Sequence, residues 1–336
     1  MKPTSPPVAD PAPFASLEPD LILAAVESTG LRCDGRLQGL NSYENRVYQV
    51  GIEDGAPLIA KFYRPGRWTD AAILEEHAFA LELDGAEVPL VPPVVDAAGA
   101  TLHSHGGYRF SLSVRRGGRA PELDRDGVLP WIGRFLARLH VVGAGGRFEH
   151  REVVDVATFG QASMDWLLAE GLVPPDLEAA YRSAAGQALE AAAACFERAG
   201  PVGRIRLHGD CHAGNILWTD AGPHFVDLDD CRSGPAVQDL WMLLSGDRGQ
   251  QAAQFEAVLE GYEMFRRFDR AELNLIEPLR TLRLMHYTAW LARRWSDPAF
   301  PVGFPWFDSP RYWQDHILAL REQIALMQEP PLVVVT

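Results

Sequence analysis

Three polar side chains recur at telling intervals within Leu207 to Pro235, LHGDCHAGNILWTDAGPHFVDLDDCRSGP. Asp210 follows a His and a Gly, Asn215 comes five residues later, and Asp227 closes an apolar run. Ile216, Leu217 and Trp218 are β-prone, Thr219 to Gly222 is a turn cluster, and Phe225, Val226 and Leu228 resume the apolar pattern, so the middle reads as a hairpin. A turn centred near Ala221 sets Asn215 opposite Asp227. Opposed residues have Cβ atoms about 5 Å apart, so both side chains reach one metal ion. Asp210 lies on the loop leading into the same end.

Phosphoryl transfer from ATP needs that set. The phosphates carry charge that magnesium offsets, and magnesium prefers oxygen ligands with waters retained. The acceptor hydroxyl needs a carboxylate to orient it and take its proton. Asp210 is the candidate base, with Asn215 and Asp227 as the candidate Mg2+ ligands. The Asp-to-Asn spacing equals that of the kinase catalytic loop, whose Asp also sits two residues after a His. A haloacid-dehalogenase-type phosphatase also places D-x-D after an apolar strand, and Asp227 with Asp229 fits it. Cys231, where such sites carry Thr or Val, argues against it, as does the position more than two hundred residues into the chain. A zinc site on His208 and His212 is weaker still. Gly209 and Gly214 oppose the helix that would align them, and no third ligand is evident.

These groups need a partner lobe to hold the nucleotide. Leu17 to Thr29 has apolar residues at helical spacing, with Gly30 as a stop. The stretch from Gly39 to Val50 reads as a polar turn followed by a strand. Ser42 in that turn is the residue placed to approach a phosphate. Pro57 to Tyr63 is the next strand, where alternation puts Lys61 on one face with Ile59. A Lys on such a face calls for an anionic partner, and the α/β-phosphates of ATP supply one. A helix from Asp70 to about Leu83 follows, with Ile73, Leu74, Ala78 and Leu81 as its expected apolar stripe. It carries Glu75 and Glu76. A strand Lys paired with a helix Glu positions ATP in kinases, and Glu76 is the favoured partner. Short strands are expected around Thr101 to Leu102 and Tyr108 to Val114. Residues 115–119, Arg-Arg-Gly-Gly-Arg, then read as a hinge.

Beyond the hinge the period changes from 2 to 3.6. Helices are expected from Pro130, over Leu177 to Arg198, from Gln238, over Leu282 to Trp295 and over Tyr312 to Met327. Asp239 caps a helix or holds the backbone of the catalytic loop. Arg280, Arg283, Arg293 and Arg294 read as paired surface arginines, with binding of an acidic substrate as the alternative. The expected organisation is a tail over residues 1–16, an N-lobe over 17–114, the hinge, and a C-lobe over 120–336.

The length suits two lobes. A net charge of −14 argues against a general nucleic-acid binder. No stretch approaches the ~20 apolar residues that span a bilayer. The four widely spaced cysteines include no C-x-x-C pair, as expected of a reduced, cytoplasmic protein. No coiled-coil pattern is present, which makes a monomer the default.

Taken in order, the Ser/Asn-rich loop, strand Lys61, helix Glu76, HGD-x-x-x-x-N and the apolar-D-L stretch resemble the aminoglycoside phosphotransferase and choline kinase superfamily. The strings NSYENRVYQV, KFYRP, ILEEH, LHGDCHAGNILW, FVDLDD, GPAVQDLWMLL and RRWSDPAFP resemble a bacterial subgroup of Ser/Thr protein kinases within it. The resemblance implies an α+β, protein-kinase-like fold, with a small antiparallel-sheet N-lobe holding one main helix and a larger, mostly helical C-lobe. It implies contact of Ser42 with ATP, of Lys61 with its α/β-phosphates, catalysis by Asp210, and Mg2+ on Asn215 and Asp227. Acceptors would be protein Ser/Thr hydroxyls, the chain's own included, or, alternatively, a small alcohol. The chain lacks the glycine-rich loop, has Asp227-Leu228-Asp229 in place of D-F-G, and shows no A-P-E segment.

Overall fold

The computed structural model describes residues 12–334. Helix α1 (Pro19–Glu27) is the first helix among the described residues, and five antiparallel strands follow: β1 (Cys33–Leu40), β2 (Arg46–Ile52), β3 (Leu58–Phe62), β4 (His103–His105) and β5 (Tyr108–Val114). Their order in the sheet is β1-β2-β3-β5-β4. Lys61 pairs with Val47 on one side and Ser111 on the other, so β3 is central. One face of the sheet, with Val50, Ala60, Phe62, Phe110 and Leu112, packs on Leu17, Ile22 and Val26. The opposite face carries Ile59 and Lys61 toward the cleft.

Three expectations need correction here. Strand β1 was absent from the sequence reading, which made Gly39 and Leu40 part of a turn. It is a mostly exposed edge strand, so no alternation marks it. Strand β4, expected around Thr101 to Leu102, starts at His103 instead. Residues 12–16, assigned to the tail, form a turn in which the Phe14 ring stacks on Tyr108, with centroids 6.1 Å apart. Residues 1–11 of that segment lie outside the described residues.

Helix α2 (Asp70–Gly85) starts where Thr69 accepts a hydrogen bond from the Ala72 N–H, a regular N-cap. Its expected stripe is wrong: Leu74 is exposed, and the buried residues are Ala72, Ile73, Glu76, His77, Phe79, Ala80 and Leu83. The reason is packing on two sides. Phe79, Ala80 and Leu83 join the core of the large lobe with α3 (Val128–Ala144), while Glu76 and His77 turn to the cleft. Four tethers fix α2 to the large lobe. Glu75 accepts from the N–H groups of Glu149 and His150, Arg151 donates to the Ala72 carbonyl, Arg206 pairs with Glu82, and Arg138 donates to the Ala86 carbonyl.

The large lobe comprises α3, α4 (Ala162–Ala169), α5 (Glu178–Ala199), α6 (Val237–Trp241), α7 (Arg248–Tyr262), α8 (Ile276–Arg293), α9 (Ala299–Gly303) and α10 (Pro310–Gln328). Two small ribbons interrupt the helices, β6 (Ile205–Leu207) with β9 (Arg232–Gly234), and the hairpin β7 (Ile216–Thr219) and β8 (Gly222–Phe225). The chain crosses between lobes at residues 115–118, which have no regular structure, and Arg119 then bridges to Trp218.

A second junction joins the lobes through ions. In the β1–β2 loop, Glu44 takes Arg64, Arg294 and the Trp290 indole N–H, while Asp297 accepts from Arg46 at 2.9 Å and from Arg64 at 2.7 Å. Tyr43 packs on Phe300 and Phe304 beside it.

Candidate active site

The hairpin forms as expected, with one shift of register. Ile216 pairs with Phe225 across a two-residue loop, and the Val226 N–H donates to the Asn215 carbonyl at 3.0 Å. Asn215 therefore faces Val226, and Asp227 stands one residue farther on. Asp227 compensates through its backbone. Its φ of 61° is left-handed, a region few non-glycine residues adopt, and the turn aims its carboxylate into the cleft.

Asp210 is held by a buried scaffold. Asp239, with no exposed surface, accepts the N–H of His208 at 2.8 Å and that of Gly209 at 2.8 Å, and the His140 Nε2–H at 3.0 Å. The carboxylate thus holds the loop backbone, the second of its two expected roles. Gly209 has φ of 85°, and a Cβ there would lie 2.1 Å from the Asp230 carbonyl oxygen, so no other residue fits between His208 and Asp210. His208 donates its Nε2–H to the Val226 carbonyl, tying the loop to the end of the hairpin.

The Asn215 amide donates to the Asp210 carbonyl at 2.9 Å and to its Oδ2 at 3.3 Å. This orientation turns the amide oxygen away from Asp210, free to accept a cation. Asp227 is half exposed, with Lys61 as its partner at 3.2 Å. A carboxylate and an amide oxygen are the hard donors that magnesium takes. No group of three His, Cys, Asp or Glu suited to a metal occurs among the described residues. A nucleotide-borne ion needs only one or two protein ligands beside its phosphates, so the two oxygens fit that ion.

Burial alone would raise the Asp210 carboxyl, but the hydrogen bond to His212 and the Arg283 guanidinium outweigh it and hold the group below its usual range. The Arg283 Nη1 lies 2.6 Å from Oδ1, in a direction that makes no aligned hydrogen bond.

Lys61 sits 3.5 Å from Glu76, 3.2 Å from Asp227 and 3.0 Å from Asp229. Burial works against its charge, yet the carboxylates of Asp229, Glu76 and Asp227 keep it protonated well above the ordinary lysine range. Glu76 also receives Arg151 at 2.9 Å. Glu75 points to the 149–150 turn instead. Asp229 is almost fully buried between Lys61 and Arg67. Its burial would raise it, but those two cations pull it down to about 2. Ser42 lines the same cleft, half-buried, in the β1–β2 loop.

The cleft has a volume of about 900 Å³ and runs from residues 115–118 past Lys61 to Asp210 and the α8 side chains of Arg283, Tyr287 and Trp290. It brings together Ser42, Lys61, Glu76, Asp210, Asn215 and Asp227. Sequence reasoning gave no role to Arg67 or Arg151, considered Asp229 only for the phosphatase alternative, and did not connect Arg283 with Asp210. One signal was available: three acidic residues in Asp227-Leu228-Asp229-Asp230 cannot pack together without cations. Cys211 and Cys231 are both buried, and burial raises both thiols, which makes them poor nucleophiles.

Comparison with known proteins finds similarity at two levels, sequence and fold. The pattern of the phosphotransferase enzyme family matches residues 36–276. Stress response kinase A of Escherichia coli strain K12 is 48% identical over 319 residues, 95% of this chain and 96% of that protein. A serine/threonine protein kinase, RdoA, of Salmonella typhimurium is 46% identical over the same shares of both chains. Among solved structures, amicoumacin kinase hAmiN in complex with AMP-PNP, Ca2+ and Ami superposes with a TM-score of 0.69 at 18% identity, over 92% of this chain and 94% of that one. A microcompartment-associated aminopropanol kinase gives 0.66 at 19% identity, over 91% and 95%. These two show the fold, which is the protein-kinase-like one expected.

Proposed function

This chain belongs to the phosphotransferase enzyme family and is a kinase, and from that premise we propose that it transfers the γ-phosphoryl group of ATP to Ser or Thr hydroxyls of proteins, its own chain included, in a bacterial stress response. The observation that carries the choice of acceptor is the likeness, along 95% of the chain, to kinases named for stress response and for serine/threonine protein substrates. The charge of the cleft supports it. A pocket for cationic amino alcohols or aminoglycosides needs free carboxylates beside the base. Here Asp230 is paired with Arg67 and Arg232, and Glu44 with Arg64 and Arg294.

In this reading the adenine lies near residues 115–118 and the β1–β2 loop, with Ser42, covers the phosphates. Lys61 contacts the α/β-phosphates and is held in place by Glu76. Asn215 and Asp227 hold Mg2+, which supplies charge neutralisation of the phosphates. The acceptor hydroxyl hydrogen-bonds Asp210, which takes its proton as the new oxygen–phosphorus bond forms. The bond from the γ-phosphorus to the bridging oxygen breaks, and ADP leaves. Residues 17–114 act as the nucleotide lobe and 120–334 as the acceptor lobe, in a protein we take as a monomer. No helix among the described residues is long and apolar enough to cross a membrane.

The runner-up is a small-molecule kinase, which shares this fold. The test is transfer of label from γ-labelled ATP with magnesium, offering the protein itself, a generic protein substrate and a panel of small alcohols. Label on protein Ser or Thr in the wild type and none with Asp210→Asn, which still binds ATP, is expected. Label on a small alcohol alone refutes the protein acceptor. An Asp210→Asn enzyme that keeps most of its transfer refutes the base.

A further inference from the structure

Arginines line or approach the acceptor half of the cleft, and nearly every one has its own carboxylate. Arg280 pairs with Glu277, Arg294 with Glu44, Arg232 with Asp230, and Arg67 with Asp229 and Asp230. Arg283 differs. Its partner is Asp210, 2.6 Å away, and among the described residues no other carboxylate is within ion-pair distance of it. The side chain is about one-third exposed and stands on α8 beside Tyr287, whose ring stacks on Trp290 at 5.6 Å along the same wall.

That partnership does not survive the reaction assigned to this site above, on which the present inference rests. When Asp210 takes the hydroxyl proton it becomes neutral, and the guanidinium loses its counter-charge. A guanidinium released in this way favours a second anion beside the hydroxyl. Lys61 and the ligands of the metal stand on the nucleotide side, whereas Arg283 stands on the acceptor side with α8. A guanidinium offers five N–H donors in a fixed fork, and Arg283 approaches Asp210 through its terminal Nη1 without an aligned hydrogen bond. The remaining donors match a carboxylate or phosphate geometrically.

We propose that Arg283 is a specificity-determining residue that selects acceptors carrying an anionic group beside the reacting hydroxyl. In a protein this is a Ser or Thr next to an acidic residue. In a small molecule it is a hydroxy acid. The guanidinium passes from Asp210 to the acceptor's anion as the hydroxyl docks, which ties release of the base to arrival of the correct charge.

The experiment compares kcat/KM for three Ser peptides of equal length whose flanking residues are Asp, Ala or Lys. A short hydroxy acid and an amino alcohol are assayed beside them. The enzymes are wild type, Arg283→Gln, Arg283→Glu and Arg293→Gln. Arg293, on the same helix, stacks on Trp166 instead of lining the cleft. One charge-assisted contact at this exposure predicts about a tenfold preference of wild type and Arg293→Gln for the Asp peptide over the Lys peptide. Arg283→Gln abolishes the preference and Arg283→Glu inverts it. Melting temperatures show that each variant is folded.

Equal use of the three peptides by wild type overturns the assignment of Arg283 and leaves protein phosphorylation standing. So does a uniform fall in rate for all peptides in Arg283→Gln, which would place the guanidinium on the transferred phosphoryl group. Peptides that remain unlabelled while the hydroxy acid is phosphorylated in an Arg283-dependent way refute the protein acceptor and uphold the charge selection. Preference for the amino alcohol, or transfer to nothing, overturns both.

Discussion

Replacing Asp239 with Asn tests the claim that a buried carboxylate, not local chain preference, holds the catalytic loop. The substitution keeps size and shape and removes one acceptor. In the protein, Oδ2 takes the N–H of His208 and the His140 Nε2–H, and Oδ1 takes the N–H of Gly209. The single amide oxygen of Asn can keep the first two. Its NH2 group then meets the Gly209 N–H, donor against donor. A buried N–H without a partner costs about 1–3 kcal/mol, and the two retained bonds lose charge assistance. The expected loss of stability is about 3 kcal/mol. The loop beside Gly209 carries Asp210, and a displacement of about 1 Å in a reacting group costs on the order of 100-fold in rate. Urea denaturation and γ-phosphoryl transfer, measured on the same preparations, read the two effects. A variant within about 0.5 kcal/mol of wild type, the range of an ordinary surface change, with unaltered turnover, would show that the loop holds itself and that Asp239 is incidental.

The neighbouring glutamates separate by function. Glu76→Gln should lower transfer about tenfold or more by loosening Lys61, whereas Glu75→Gln, which touches only the 149–150 turn, should leave turnover near wild type; equal effects would remove the Lys61–Glu76 pair from the reading. Asp227→Asn should raise the magnesium concentration needed for nucleotide binding, measured by metal titration, and an unchanged titration would take Asp227 out of the ligand set. Glu272, buried against the Val237 N–H, titrates at about 7 instead of 4.5, chiefly because of its burial. The native state therefore holds a proton between pH 4.5 and 7 that the unfolded chain has lost. This contribution to stability is full below about pH 4.5 and disappears as pH rises through 7, a change of about 3 kcal/mol. Denaturation at pH 5 and pH 8 should show a smaller difference in Glu272→Gln than in wild type, and an equal difference would dismiss Glu272 as the source.

The part of the site that spacing encodes was legible in the sequence. Asp210, Asn215 and Asp227 lie on one loop and one hairpin, so local rules alone bring them within reach of each other. The error there was a single residue of register, because the left-handed turn at Asp227 lies beyond what hairpin pairing predicts. Lys61 announced itself by standing on the wrong face of a strand. What stayed hidden depends on distance along the chain. Arg67 meets Asp229 across 162 residues and Arg46 meets Asp297 across 251. No periodicity connects such pairs. The stripe of α2 was misread for a related reason: a helix buried on two sides by different partners has no single apolar face to find. Strand β1 escaped because an exposed edge strand carries almost none of the alternation by which strands are recognised.

The four tethers on α2 have a consequence for control. Protein kinases commonly switch by moving the helix that carries the paired Glu. Here that helix is bolted to the catalytic lobe at both ends, and Glu76 itself is shared between Lys61 and Arg151. Both partners are thus held from the large-lobe side as well as by each other. Held in this way, the Lys61–Glu76 pair stands assembled by contacts of the chain itself, a throttle without a clutch.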